Sequence, residues 1–135
     1  MCHECIIETS EHNPEEIIYQ GSSPDEIAIC TGLGKIGYKF LGNEFGVSKV
    51  QCGSSLNKYE VKMILDFDSH RKRQSVIIFD GINYKLYTKG ADSSILSILD
   101  ASLEHPYLNE TVTQLKLFST LGYRTLVFGF RYLSH

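Results

Sequence analysis

The sequence predicts an α+β fold in which helices flank a twisted, mainly antiparallel β-sheet. Strand-like apolar segments dominate residues 38–89, and short turn signals such as Asp80-Gly81 separate them. Helical periodicity appears on both sides of this region, at residues 24–35 and 108–121. Because consecutive strands joined by short turns pair antiparallel, this segregation favours an α+β class over alternating βαβ units.

Length and composition describe one soluble globular domain. The chain has 135 residues, enough to bury a core, and its 42% hydrophobic and 21% charged residues are ordinary for that class. A net charge of −3 argues against a dedicated nucleic-acid binder. No apolar run approaches the ~18 residues of a membrane span, and no signal peptide is recognisable. Residues 1–16 are polar and are expected to form a flexible lead-in, and the abrupt ends indicate a fragment of a larger protein.

The first helix has clear start and stop signals. Ser23 before Pro24 supplies a hydroxyl N-cap and a proline at the first helical position. Glu26 stands three residues after the cap and completes a capping box. Apolar side chains then recur at near-helical spacing until Gly37 ends the pattern. These signals predict a helix over residues 24–35.

The middle of the chain reads as an antiparallel meander. Apolar and polar residues alternate in residues 59–67, so the apolar set is predicted to face the core. This set comprises Val61, Met63, Leu65 and Phe67. A polar stretch at residues 51–57 is predicted to be a loop. The other predicted strands are residues 38–41, 45–50, 75–79, 84–89 and 124–132, and the later helices are residues 91–100 and 108–121.

The cysteines are too few and too scattered for a disulfide scaffold, so we expect reduced thiols in a cytosolic setting. They are Cys2, Cys5, Cys30 and Cys52. Residues 2–5, which read Cys-His-Glu-Cys, have half of a zinc-site spacing, but a second ligand pair is required and Cys30 and Cys52 stand alone. The sequence therefore predicts no metal site and assigns residues 2–5 to a linker.

One stretch contains the parts of a nucleotide pocket. Residues 67–76 read FDSHRKRQSV, and a companion KGAD follows at residues 89–92. An aromatic ring can stack on a base, cations meet phosphates, and a glycine lets a ligand approach the backbone. Each part also has an ordinary explanation. Phe67 suits a core, the cations suit a solvated loop, and Lys89 suits a strand edge.

Four motifs occur in a defined order: YQGSSPDE at residues 19–26, FDSHRKRQSV at 67–76, KGAD at 89–92 and GYRTL at 122–126. In their order and spacing the chain resembles the nucleotide-binding domain of P-type ATPases, over about residues 2–132. The SPDE and RKR elements are most similar to the phospholipid-flipping (type IV, aminophospholipid translocase) branch. The fold of that family, a twisted antiparallel sheet flanked by helices, agrees with the fold predicted from the pattern.

The resemblance implies the cytosolic ATP-binding domain of a phospholipid-transporting membrane pump. In the family this domain binds ATP, with Mg²⁺ in the whole pump, and delivers the γ-phosphate to the aspartate of a DKTG motif in a separate phosphorylation domain. No DKTG occurs here, so the chain is expected to bind nucleotide without turnover and to hold no catalytic residue. The implied partners are ATP and the phosphorylation and actuator domains of the same pump, with no nucleic acid. The isolated domain is expected to be a monomer.

Eight residues are implied to line the nucleotide pocket: Glu26, Phe67, Ser69, Lys72, Lys89, Gly90, Arg124 and Thr125. At the base end, Phe67 would stack on adenine and Glu26 would lie at the pocket edge. Lys89 would line the pocket floor, and Gly90 would permit close approach. The capping box alone also explains Glu26.

At the phosphate end, the resemblance implies that Lys72 reaches towards the phosphates. Arg124 would contact the phosphate or ribose side, with Thr125 beside it. Ser69, close to the aromatic ring, is a further candidate. An ion pair with an acid is the ordinary explanation for Arg124.

Two other functions stay open. A non-catalytic interaction module would use the basic loop His70–Arg73 to bind anionic partners or lipid headgroups. A zinc or thiol redox protein would be built on Cys2, Cys5 and a third ligand. Salt sensitivity distinguishes the first of these from base stacking, and metal analysis identifies the second.

Overall fold

The part of the chain that the structure describes combines a six-stranded sheet with a separate two-stranded sheet and three helices. The structure, a computed structural model, describes residues 2–9 and 17–133. In chain order the elements are β1 (Ile6–Thr9), β2 (Ile17–Gln20), α1 (Pro24–Lys35), β3 (Tyr38–Glu44), β4 (Val47–Cys52), β5 (Ser55–Asp68), β6 (Arg73–Phe79), β7 (Tyr84–Gly90), α2 (Asp92–Leu96), α3 (Leu108–Thr120) and β8 (Val127–Leu133).

The large sheet is an antiparallel meander, with its strands in the order β3-β4-β5-β6-β7-β8. Every neighbouring pair is antiparallel, which confirms the predicted α+β fold. The loop predicted at residues 51–57 is wrong. β4 runs to Cys52 and β5 begins at Ser55, because Gly53 adopts a φ of 59° and closes a tight turn between them.

Helix α1 begins and ends at the predicted residues. The Ser23 hydroxyl accepts a hydrogen bond from the Glu26 N–H at 3.4 Å, and Pro24 occupies the first turn, where no backbone donor is needed. Gly37 follows the helix with a φ of 95°, the left-handed conformation that favours glycine there. The capped first turn fixes where the side chains of Asp25 and Glu26 leave the helix.

A small apolar cluster joins the N-terminal strands to α1. Cys5, Tyr19 and Cys30 are buried together in it. The Tyr19 hydroxyl accepts a hydrogen bond from the Phe40 N–H at 3.0 Å and donates to the Phe40 carbonyl at 3.2 Å. The Tyr19 side chain thereby links β2 to β3 and satisfies two backbone polar groups of β3.

The lead-in predicted for residues 1–16 contains regular structure. β1 pairs antiparallel with β2, with Ile6 opposite Gln20 and Ile7 opposite Tyr19. Residue 1 and residues 10–16 lie outside the described residues, so the flexibility expected there stays a prediction.

The main core lies around β6, β7 and α2. Val76, Ile78 and Ile95 are the most deeply buried apolar side chains. Ile95 comes from α2, which contacts β7 and β8. α2 ends at Leu96 rather than at residue 100, because turns follow it and the Asp100 carboxylate accepts hydrogen bonds within one of them.

The last helix and strand follow the predicted pattern. α3 begins at the predicted residue and ends at Thr120, shortly before Gly122 with its φ of 76°. None of its side chains is buried. β8 begins at Val127 rather than at residue 124. In the part of the chain that the structure describes, every helix is too short or too polar to cross a bilayer.

Strand β5 departs from the predicted alternation. Two register shifts interrupt its pairing with β6. Val61 lies opposite Ile78 while Met63 lies opposite Ile77, so Val61 and Met63 face opposite sides of the sheet. Met63 is 52% exposed and Phe67 is 64% exposed. The single core row predicted from the alternation of Val61, Met63, Leu65 and Phe67 is therefore wrong.

Candidate functional site

The antiparallel order brings the predicted site residues to one end of the large sheet. β5 and β7 end there, and β6 and β8 begin there. Arg73 of β6 lies between Asp68 of β5 and Gly90 of β7. Val127 of β8 lies next to Gly90. The strand ends, the segments that flank them and the first turn of α1 supply all eight residues: Glu26, Phe67, Ser69, Lys72, Lys89, Gly90, Arg124 and Thr125.

Glu26 and Lys89 form a buried ion pair between α1 and β7. Their exposed fractions are 8% and 7%. The Lys89 ammonium donates to Glu26 Oε1, and the Glu4 N–H donates to Oε2 at 2.8 Å. Burial on its own raises the pKa of Glu26, but the Glu4 N–H and the Lys89 ammonium outweigh it and hold that pKa below its usual value. Glu26 is therefore a carboxylate at neutral pH.

Gly90 lies against the backbone of the loop between β5 and β6. A Cβ at residue 90 would lie 2.8 Å from the Arg73 Cα and nearer still to the Lys72 carbonyl oxygen, so only glycine fits. The same carbonyl accepts a hydrogen bond from the Ala91 N–H at 3.1 Å. In this structure the chain's own loop makes the close approach at Gly90, which fixes that loop beside Lys89.

Asp68 shapes the basic loop His70–Arg73. Its carboxylate accepts hydrogen bonds from the N–H groups of His70 and Arg71, at 2.9 and 2.8 Å. Its carbonyl accepts the Lys72 N–H at 2.6 Å. Lys72 adopts a φ of 51°, in the left-handed region that few side chains occupy. The loop is therefore a defined turn rather than a loose connection.

Two of the four basic side chains in this loop are used inside the domain. Arg71 donates to the Asp66 carbonyl at 2.7 Å. Arg73 donates to the Arg71 carbonyl and to the Ser94 hydroxyl, both at 3.1 Å. Because two guanidinium groups are occupied, the loop is not a broad basic surface, and the interaction-module alternative gains no support from it.

Phe67, Ser69 and Lys72 are accessible to a ligand. The Phe67 ring stands at the end of β5 with most of its surface in solvent. Ser69 and Lys72 are exposed, and no described residue forms a hydrogen bond with either side chain. An exposed ring beside a hydroxyl and an ammonium can stack a base and contact polar groups around it.

Arg124 and Asp25 form a second ion pair beside the first. Arg124 Nη1 lies 3.1 Å from both carboxylate oxygens of Asp25. The Arg124 side chain is 75% exposed. Asp25 precedes Glu26, so two adjacent acids in one turn of α1 hold both Arg124 and Lys89. An exposed pair contributes little stability, so a phosphate could displace Asp25 from Arg124 at small cost.

Two cavities open beside these pairs. A cavity of about 660 Å³ lies between α1, α3 and the start of β8, and Arg124 and Thr125 line it. A smaller one of about 140 Å³ lies where Glu26 and Lys89 meet the N-terminal segment. Phe128 lines both cavities and pairs with Lys89 in register.

Sequence reasoning missed Asp25 and Phe128. Asp25 is visible in the sequence only as a favourable acid in the first turn of a helix, because its partner Arg124 lies 99 residues away. Phe128 shares a face with Lys89 only because β7 pairs with β8 in this register. Phe67 lines neither of these two cavities.

The N-terminal segment covers the Glu26–Lys89 pair. The His3 ring packs edge-on against Phe40 with 4.5 Å between centroids. Burial lowers the pKa of His3 to about 4, so its imidazole is neutral at pH 7. Burial likewise raises the pKa of the neighbouring Cys5 thiol to about 12. The four cysteines of the chain are free thiols.

The chain is similar to known proteins over its whole length. The family described as "P-type ATPase, cytoplasmic domain N" matches residues 1–135. A phospholipid-transporting ATPase of Schizosaccharomyces pombe is 39% identical over 133 residues, which cover 97% of this chain and 10% of that protein. Phospholipid-transporting ATPase 1 of Arabidopsis thaliana is 35% identical over 130 residues, 96% of this chain and 11% of that protein. Phospholipid-transporting ATPase tat-1 of Caenorhabditis elegans is 37% identical over 139 residues, 99% of this chain and 12% of that protein. The chain therefore spans about a tenth of the length of the relatives it matches.

Proposed function

The chain belongs to the family of P-type ATPase cytoplasmic N domains, and we propose that it is the ATP-binding domain of a phospholipid-transporting ATPase, a flippase. The relatives carry the name of such ATPases. Since the chain matches about a tenth of each, ATP hydrolysis, lipid transport and a place at the cytosolic face of a membrane all belong to the proposal. So do its partners, the phosphorylation and actuator domains of the same pump.

The proposal rests on one observation, the gathering of an exposed aromatic ring and several cations at one end of the sheet. Phe67 lies near the end of β5 and Arg124 shortly before β8, and these two strands are three strand spacings apart, about 14 Å. This span is comparable to the length of an extended nucleoside triphosphate. Lys89 on β7 lies between them. A base stacked on Phe67 would leave its phosphates within reach of a cation.

The residues present fit ATP. Phe67 offers an exposed face to adenine, and Ser69 and Lys72 follow it in the chain with exposed side chains. Glu26 would lie at the edge of the pocket and Lys89 on its floor. The opposite charges of this buried pair neutralise each other, so neither side chain needs a charged group of the ligand as a partner. Gly90 contributes to this pocket indirectly, because its lack of a side chain lets the basic loop His70–Arg73 pack against β7.

The phosphate side of the proposed pocket is formed by Arg124 and Thr125. Arg124 presents a guanidinium that an exposed ion pair holds only weakly, and guanidinium groups match phosphate oxygens well. Thr125 lines the same cavity. When bound, ATP would supply the γ-phosphate that a separate domain takes up. Because no DKTG motif occurs in the sequence, the chain alone is expected to bind ATP without hydrolysing it.

Mg²⁺ would be bound in this pocket by the phosphates of ATP rather than by a dedicated protein site. Mg²⁺ prefers oxygen ligands and usually binds through one or two carboxylates together with substrate phosphates. Among the described residues the group suited to hold a metal consists of an imidazole and two thiols, not of carboxylates. We therefore assign no residue of this chain to Mg²⁺.

An ATP titration of the isotope-labelled chain, followed by NMR, tests the proposal. We expect saturable shifts around Phe67 and Lys89. Phe67→Ala should weaken binding about 5- to 150-fold, since stacking on an aromatic ring contributes roughly 1–3 kcal/mol per base. Phe45→Ala is the matched control, because Phe45 is a fully exposed phenylalanine next to the β3–β4 turn. Wild-type affinity in Phe67→Ala, or no shifts at millimolar ATP, would contradict the proposal.

Two further ligands separate base stacking from simple phosphate attraction. AMP should shift the resonances around Phe67 much as ATP does, because it carries the same base. Inorganic triphosphate should leave Phe67 unchanged. If triphosphate alone shifted the loop His70–Arg73 and AMP shifted nothing, the basic loop would be the binding surface instead.

A further inference from the structure

We propose that His3, Cys5 and Cys30 form a binding site for a thiophilic divalent cation, which we assign as Zn²⁺. One ligand atom from each of the three side chains lies within 4.8 Å of the other two. Cys5 and Cys30 are buried and His3 is half-buried. Two thiolates and one imidazole are the ligand types that zinc prefers. The site is independent of ATP binding and stands whether or not the pocket above is correct.

The fold, and not the sequence spacing, creates this group. His3 and Cys5 are two residues apart on the segment that leads into β1. Cys30 belongs to α1. It lies one helical turn after Glu26, which is in the capped first turn of that helix. Pairing of β1 with β2 and packing of β2 against α1 bring the two parts together. The second ligand pair that sequence spacing requires is thus replaced by one cysteine from a helix.

The separations suit a tetrahedral metal after a small contraction. Zn–S bonds of about 2.3 Å and Zn–N bonds of about 2.0 Å imply ligand atoms roughly 3.5–3.8 Å apart in a tetrahedron. Each pair of these atoms, at most 4.8 Å apart, needs to close by no more than about 1.3 Å. The Cys5 N–H donates to His3 Nδ1 at 3.1 Å, so Nδ1 is the unprotonated nitrogen of the neutral ring. A metal bound at Nδ1 would replace this hydrogen bond.

A fourth ligand can come from solvent. His3 and Cys30 line the cavity of about 140 Å³ that also borders Lys89, so water can reach the metal from that side. Three protein ligands with one water are a common arrangement for zinc. Cys2 does not belong to the group, since its thiol lies 3.5 Å from the Gln74 carbonyl and contacts that oxygen instead.

Charge balance also favours a divalent cation. Binding forms two Zn–S bonds and one Zn–N bond, and the two thiol protons leave to solvent. Two thiolates then neutralise the two charges of Zn²⁺, so the buried cluster carries no net charge. The metal would link the N-terminal segment to α1 through three bonds.

Cobalt substitution tests the site on the whole 135-residue chain. The protein is first stripped with a chelator and kept reduced with a phosphine that leaves metals free. Co²⁺ is then titrated, followed by Zn²⁺. We expect one Co²⁺ per chain, with the visible bands of a tetrahedral site and a thiolate-to-cobalt charge-transfer band, and displacement of Co²⁺ by equimolar Zn²⁺.

Variants decide whether these three residues are the ligands. His3→Ala and Cys30→Ser should each weaken Co²⁺ binding at least tenfold, and Cys5→Ser should abolish part of the charge-transfer intensity. Cys52→Ser is the matched control, because Cys52 lies at the end of β4 outside the group and should leave the spectrum unchanged. Circular dichroism of each variant verifies the fold. Co²⁺ binding without a charge-transfer band, or wild-type affinity in folded Cys30→Ser and His3→Ala, would overturn the proposal.

Discussion

At the scale of single residues, the site depends on a buried ion pair that two distant parts of the chain must complete. Glu26 and Lys89 lie 63 positions apart. Two charges are costly to bury, and their attraction offsets that cost only where further hydrogen bonds satisfy them. The Glu4 N–H provides such a bond to the carboxylate. The pair therefore holds Lys89 in one position at the end of β7 rather than adding much net stability.

Removing one partner of this pair should destabilise the domain strongly. Lys89→Met leaves the Glu26 carboxylate buried without its cation, which we expect to lower the free energy of unfolding by about 3 kcal/mol. Lys62→Met is the matched control. Lys62 pairs with Glu60 at 2.5 Å on the surface, and its loss should lower the free energy of unfolding much less, because a solvated ion pair contributes little. Urea unfolding followed by circular dichroism measures both. Equal losses in the two variants would show that the buried pair has no special role.

The same pair predicts a pH dependence. The pKa of Glu26 in the folded state lies below its ordinary value of 4.5, so the folded state binds this proton less readily than the unfolded state. Its contribution is then complete above about pH 5 and is lost as the pH falls through the folded pKa. The difference in unfolding free energy between wild type and Glu26→Gln should therefore be largest near neutral pH and shrink below pH 4. A difference that grew on acidification would contradict the assigned sign.

Gly90 is required by packing rather than by chain flexibility. A Cβ there would overlap the Lys72 carbonyl and the Arg73 backbone, so Gly90→Ala should displace the basic loop and cost about 1–3 kcal/mol. Gly32→Ala is the matched control, because a Cβ at Gly32 meets nothing within 4 Å and lies inside α1. That variant should gain about 0.5–1 kcal/mol from helix propensity. Thermal unfolding should thus shift in opposite directions, and a shift in the same direction would refute the packing argument.

At the scale of elements, local signals predict α1, α3 and the antiparallel meander but not the side-chain faces of β5. Ser23 and Pro24 determine where α1 begins, because capping involves only neighbours in the chain. The alternation from Val61 to Phe67 fails, because register shifts depend on how β5 pairs with β6 and leave no local mark. The same shifts expose the Phe67 ring at the end of β5. The aromatic residue of the candidate site is thus displayed by an irregularity that alternation alone cannot detect.

The residues of the candidate site likewise divide into those that local motifs predict and those that only tertiary contacts reveal. The motifs at residues 67–76 and 89–92 point to Phe67 and Lys89 from sequence, and the strand order brings them to one end of the sheet. The partners of the cations could not be predicted in this way. Asp25 and Glu26 reach Arg124 and Lys89 across α1 and the sheet, and such contacts are set by tertiary packing alone.

At the scale of the whole molecule, the candidate site lies between a well-buried part of the sheet and a helix that has no buried side chain. Lys89, the proposed floor of the site, belongs to β7, which pairs on both sides within the large sheet and adjoins the core of Val76 and Ile78. One wall of the larger cavity belongs to α3, which has no buried side chain. Segments with few buried contacts open at lower free energy than the core does. The floor and the wall should therefore differ in local stability.

Amide hydrogen exchange measures this difference directly. The amides of Val76 and Ile78 should exchange only through global unfolding, because β6 is paired on both sides and these side chains are almost fully buried. The amides in the middle of α3, such as that of Leu115, should exchange at least about 100-fold faster through local opening. The comparison uses backbone amides that are hydrogen-bonded in regular structure in both cases, so the difference reports packing and not simple exposure. Equal protection would mean that α3 is held by contacts that its exposed side chains do not reveal. Faster exchange in α3 would mean that the wall of the cavity beside Arg124 can open while the sheet that carries Lys89 stays intact, so a ligand could enter without disturbing the pocket floor.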